Sequence, residues 1–161
     1  MKKIYIAGFD VFKLNSKEIG STYKFICKKY GYDGLYPLDN EIDKSWDKEK
    51  SRNYIYTKNI ELIHKSDIVI ANANPFRGME IDSGTAFEIG YAQALKKQVV
   101  IYMDDNRSYL DKFVDKHEEN GLFLDKDNMI IEDFNFPLNL MFSSAIIVKG
   151  GFEEALSMLI K

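Results

Sequence analysis

Cysteine occurs once in the 161 residues, at Cys27, so no internal disulfide can form. Histidine occurs twice, and His64 and His117 stand far apart with no ligand partners at metal-binding spacing. A net charge of −3 supplies no basic field for a polyanion, which excludes nucleic acid as an expected partner while leaving small nucleosides open. The start Met-Lys-Lys-Ile-Tyr-Ile-Ala-Gly lacks the long apolar core of a signal peptide and runs directly into strand-like sequence. A cytoplasmic protein without a membrane partner is therefore expected. Glycine-rich phosphate loops, internal repeats and low-complexity linkers are also missing, and no motif asks for a metal or an organic cofactor.

What is present is the material of one core. The length and a 45% hydrophobic content suit one domain over residues 1–161, and the ten Tyr and eleven Phe suit either an ordinary core or the stacking of flat rings. Lys3 to Gly8 is short, apolar and closed by glycine, as a buried first strand should be. Helical spacing from Ser16 to Tyr30 ends at Gly31, and Tyr32 to Tyr36 has the pattern of a short strand. Pro37 to Asn40 reads as a turn into a polar stretch, Glu41 to Lys50, that is a candidate substrate loop. Further helices are predicted from about Ser51 to Lys65 and Ser83 to Lys96, with strands at 67–72 and 99–103. Residues 104–128 are too long for a simple connection and too weakly periodic to assign. A short helix over 137–142, a strand over 145–148 and a closing helix over 152–160 complete the chain. This alternation predicts an α/β fold: a doubly wound, flavodoxin- or Rossmann-like domain whose mostly parallel five-stranded sheet is flanked by helices, with its ligand at the strands' carboxyl ends.

The stretch from Asp82 to Ala92 carries the chemistry. Asp82 has the position and type of a helix N-cap. Glu88, six residues later, shares its helical face with Gly84, Thr85, Tyr91, Ala92 and Leu95, while Gln93 and Lys97 should mark the wet side. A carboxylate on an apolar face is costly to bury alone, so Glu88 either meets a donor or faces a cavity. Gly84 and Gly90 remove bulk along the same helix and would let a ligand approach. Pairing of Glu88 with a cation in a helix–helix contact is the structural alternative.

In order, the segments Lys3-Ile-Tyr-Ile-Ala-Gly8, Tyr36-Pro-Leu-Asp-Asn40, Asp67-Ile-Val-Ile-Ala71, Asp82 with Glu88-Ile-Gly-Tyr-Ala92, and Pro137-Leu-Asn-Leu-Met141 resemble the nucleoside 2-deoxyribosyltransferase family. Pro75-Phe-Arg-Gly78 and Asp82 to Phe87 look most like its branch known from protozoa. The resemblance implies an enzyme that moves 2-deoxyribose between nucleobases through a deoxyribosyl ester on Glu88, oriented by Tyr5. It implies that Asp82 contacts the base and takes part in proton transfer, and that Asn139 reaches the sugar hydroxyls in a neighbouring subunit's site, hence a homo-oligomer. Its partners would be 2′-deoxynucleosides and free nucleobases, with no cofactor.

Tyr5 is otherwise a hydroxyl at a strand end, and Asn139 otherwise a cap. Where bacterial members place an acidic residue before the third strand, this chain has Asn59, which can hydrogen-bond sugar or base but cannot supply the same proton. That transfers the general-acid role to Asp82, Glu80 or water. Gly8 and Gly84 are expected beside the substrate, Arg77 as a donor to a base carbonyl or a site carboxylate, and Phe12 or Trp46 as a stacking ring. Two other functions remain open: an N-glycosidase of 2′-deoxynucleoside 5′-monophosphates, and a non-catalytic nucleotide-sensing module.

Overall fold

Ile4 and Ile6 turn to one side of the first strand and Tyr5 and Ala7 to the other, and this two-residue alternation divides the hydrophobic interior into two layers. In the computed structural model, which describes residues 1–160, β1 (Lys3–Ala7) is followed by α1 (Ser16–Lys29), β2 (Asp33–Leu35), α2 (Lys48–Lys65), β3 (Ile68–Asn72), α3 (Ser83–Ala94) and β4 (Gln98–Met103). Then come α4 (Tyr109–Lys112), a hairpin of β5 (His117–Glu119) and β6 (Leu122–Leu124), β7 (Ile146–Lys149) and α5 (Phe152–Ser157). The main sheet runs β2-β1-β3-β4-β7 with every pairing parallel, the doubly wound order expected from the sequence.

β3 is buried at all five positions, as a central parallel strand covered on both faces must be, and its Ile-Val-Ile-Ala-Asn run is apolar almost throughout. One face packs Ile63 of α2 and Ile89 and Ala92 of α3 against Tyr5, Val69 and Ile101. The other packs Cys27 of α1 and Phe152, Ala155 and Leu156 of α5 against Ile4, Ile70 and Val100. Each fully buried aliphatic side chain contributes roughly 1.5–3 kcal/mol before conformational entropy is subtracted. Since the chain leaves β1 for α1 on one face and reaches β3 through α2 on the other, the strand order reverses between β1 and β3. That reversal opens a crevice at their carboxyl ends.

Several boundaries differ from the sequence reading. Asp47 caps α2 by accepting from the Lys50 N–H at 2.7 Å, so the helix begins in the polar stretch assigned to a loop. The 137–142 helix shrinks to a 3₁₀ turn over Leu140–Phe142, and the closing helix stops at Ser157. The 104–128 segment folds into α4 and the antiparallel hairpin, whose three-residue strands are too short to show a period. Gln93 and Lys97 are half-buried, Lys97 donating to the His64 carbonyl at 3.1 Å, while Phe87, Gly90 and Ala94 take the exposed face of α3. Lys97 is drawn inward because α3 abuts the end of α2, where its carbonyl partners lie, whereas the buried Gln93 Nε2 has no hydrogen-bond partner.

Candidate active site

The crevice is a cavity of about 290 Å³ lined by Gly8, Val11 and Phe12 after β1, Pro37, Leu38, Asn40 and Ile42 after β2, Ile55 and Asn59 of α2, and Asp82, Gly84, Thr85 and Glu88 of α3. Gly8 makes the close approach possible. Its φ of +149° suits glycine, and a Cβ there would stand 2.7 Å from the Cβ of Asn72. Asn72 in turn donates to the buried Asp10 carboxylate at 2.8 Å, pinning the turn that carries Val11 and Phe12 to the end of β3.

Glu88 meets its donor across the sheet. The Tyr5 hydroxyl, fully buried at the centre of β1, donates to Glu88 Oε1 at 2.5 Å. No cation pairs with Glu88 among the described residues, so the helix–helix ion pair is not formed. Burial raises the Glu88 carboxyl to about 7; the Tyr5 hydrogen bond opposes that shift and the negative charge of Asp82 adds to it. Burial and the neighbouring carboxylate also push the Tyr5 phenol well above its ordinary value, so it stays protonated and remains a donor. Asp82 is the N-cap of α3: its Oδ2 accepts from the Thr85 N–H and from the Thr85 hydroxyl, each at 2.9 Å.

Asn59 lines the same cavity, and its Oδ1 is buried with no hydrogen-bond partner, a position that a bound ligand could satisfy. Phe12 stands at the rim, 60% exposed, stacked at 5.4 Å on Phe76. Arg77 is placed differently from the expectation. Its guanidinium lies over the rings of Phe76 at 4.7 Å and Phe12 at 5.7 Å and lines no part of the cavity, because the left-handed backbone at Arg77 turns the side chain back over the loop. Trp46 also stays out: it packs edge-on against Tyr54 at 4.9 Å and under Lys50, on the outside of α2. Gly90 has open space around it and plays no part in ligand approach. Asn139 lies outside this chain's cavity, accepting from the Met141 N–H at 3.0 Å and donating to Glu132 at 2.7 Å.

The structure thus brings Tyr5, Glu88, Asp82, Asn59, Gly8, Gly84 and Phe12 together, and leaves Arg77 and Asn139 apart. Sequence reasoning missed Val11, Leu38, Ile42 and Ile55 as walls, since isolated apolar residues carry no signal for a cavity. Thr85 had a signal, its place three residues after the Asp82 cap.

A second cavity of about 210 Å³ opens between the β3–α3 loop, α4 and the segment before β7, lined among others by Glu80, Arg107, Tyr109, Lys112 and Leu138. Glu80, one candidate for the missing acid, belongs to this cavity, where the Tyr109 hydroxyl donates to it.

The family model of nucleoside 2-deoxyribosyltransferases matches residues 4–141. Among solved structures, a 2-deoxyribosyltransferase from Leishmania mexicana is 32% identical with a TM-score of 0.81, over 99% of this chain and 97% of that one. A 2-deoxyribosyltransferase of Bacillus psychrosaccharolyticus, at 22% identity and a TM-score of 0.52 over 62% of this chain and 71% of its own, shares the fold. An uncharacterised protein of Schizosaccharomyces pombe is 28% identical across 92% of this chain and 79% of its own length.

Proposed function

The chain belongs to the nucleoside 2-deoxyribosyltransferase family, and on that basis we propose that it exchanges nucleobases on 2′-deoxynucleosides with Glu88 as the nucleophile. The observation that carries this reading is the Tyr5–Glu88 hydrogen bond on the wall of a cavity that supplies no cation. Tyr5 holds Oε1 and leaves Oε2 free to attack C1′ of the sugar. The bond from C1′ to the base nitrogen breaks, its electron pair leaves with the base, and a glycosyl ester forms on Glu88. Asp82, which lines the cavity, passes a proton to the leaving nitrogen, directly or through water, while Asn59 hydrogen-bonds sugar or base. A second base then attacks C1′ through a ring nitrogen, Glu88 departs as the carboxylate, and the incoming base gives its N–H proton back to Asp82, directly or through water. Two inversions restore the original configuration.

The cavity walls favour a nucleoside over a 5′-monophosphate. A 5′-phosphate brings roughly two negative charges at neutral pH, and the lining residues contain Asp82 and Glu88 but no Lys or Arg. A nucleoside brings none. A sensing module would not need a nucleophile with a raised pKa held by a buried phenol.

The same family membership supports a cytoplasmic homo-oligomer in which Asn139 of one subunit completes a neighbour's cavity. Asn139 lies beside the exposed Leu140 and Met141 and takes no part in its own. No helix among the described residues is long and apolar enough to cross a membrane.

Incubation with deoxyinosine and adenine, with products separated chromatographically, tests the reading. Deoxyadenosine formed by the unaltered chain and not by Glu88→Ala is the expected result. Hypoxanthine released without deoxyadenosine would make the chain a hydrolase, and full turnover by Glu88→Ala would remove the mechanism.

A further inference from the structure

We infer that Thr85 is a positioning residue that fixes the Asp82 carboxylate and thereby sets how the nucleobase is recognised, an inference that rests on the transfer reading above. Thr85 is 1% exposed, lies in the first turn of α3 and lines the cavity. An N-cap needs only the backbone N–H of that turn. Here the Thr85 hydroxyl is added to it, so Asp82 Oδ2 accepts two bonds from one residue, each 2.9 Å. A threonine hydroxyl within a helix ordinarily returns to a carbonyl one turn back or meets water. This one is buried and spent on a carboxylate.

Two donors on one oxygen stop the carboxylate from rotating about its own axis. No described residue donates to Oδ1, which is left as a single oriented acceptor beside the cavity. Gly84 leaves room for the arrangement, since a Cβ there would stand 3.1 Å from Oδ2 and press on the fastened oxygen. An acceptor held in one place discriminates well: a base edge presenting an N–H satisfies it, and an edge presenting only carbonyl oxygens leaves two acceptors facing each other. Thr85 thus acts on the base through Asp82.

The test uses the full chain with deoxyinosine as donor and adenine as acceptor, and compares Thr85→Val, Thr85→Ala and Thr85→Ser. Val keeps the shape without the hydroxyl, Ala relieves any crowding, and Ser returns the hydroxyl. Loss of one charge-assisted hydrogen bond predicts a KM for adenine raised about tenfold or more in the Val and Ala variants. Ser should lie within about threefold of the unaltered chain. An unchanged KM in Val and Ala, or a Ser variant no better than Ala, overturns the inference, because a merely structural threonine would not separate Ser from Ala in the acceptor KM. Turnover by Glu88→Ala in the same assay would instead defeat the transfer reading itself, so the two failures are distinguishable.

Discussion

Two cavities open at the carboxyl edge of the sheet, and they treat charge in opposite ways. In the one beside α4, Arg107 is paired with Asp105 at 2.7 Å, Glu80 accepts from the Tyr109 hydroxyl, and the Lys112 ammonium donates to the Pro137 carbonyl at 2.6 Å. In the one beside α3, two carboxylates share the walls, no cation answers them, and Glu88 is held only by a neutral phenol. The first arrangement satisfies its charges and fastens a loop. The second leaves a carboxylate without a cation at a cost the fold must offset elsewhere, which is why the proposed chemistry is assigned to it.

Glu88 separates the two cavities most strongly. Glu88→Ala should remove roughly four to six powers of ten in turnover, the scale on which loss of a nucleophile acts, with circular dichroism unchanged. Retained activity would make the two cavities equivalent. Tyr5→Phe comes next, with a loss of about ten- to hundredfold for one hydrogen bond to a charged group. In the proposed mechanism only the ionised Glu88 attacks, so the rate of the unaltered chain should rise with pH through about 7 and level above it. Because the Tyr5 bond lowers the Glu88 pKa, its removal should move that rising limb to higher pH.

A smaller effect sharpens the cost side of the comparison. The folded-state pKa of Glu88 is raised from 4.5 to about 7, so its contribution to stability is fully present below 4.5 and is lost as pH rises through 7. Glu88→Gln should therefore melt above the unaltered chain at pH 8 and gain little at pH 4, as differential scanning calorimetry would show. A difference independent of pH would contradict the burial of charge. The smallest effect belongs to the other cavity. Lys112→Met should keep turnover within about twofold and lower stability by about 1 kcal/mol, the net worth of a typical hydrogen bond. A large loss of activity there would move the chemistry toward α4.

Legibility in the sequence followed the same division. Asp82 as a cap and Glu88 as a misfit on an apolar face were both visible from helical spacing, and the resemblance named Tyr5. Arg77 and Trp46 were misplaced because a positively charged or aromatic residue near a site has the same local appearance whether it faces in or out. Arg77 followed the left-handed turn of its loop back over Phe76, and Trp46 followed α2, which starts earlier than its periodicity shows. The hairpin from β5 to β6 was illegible since strands of three residues with no fully buried position leave no pattern.

By itself the sequence determined the order of the five main-sheet strands and the helices that flank them, because periods of two and of about 3.6 residues are imposed locally by backbone geometry and read out as apolar repeats. Only the tertiary structure decided that Tyr5 and Glu88, 83 residues apart, share a proton-bearing contact, and that Thr85 spends its hydroxyl on Asp82. Such contacts depend on the register of β1 between β2 and β3 and on the seating of α3 across the sheet, quantities set by packing over the whole core and written in no single stretch of chain.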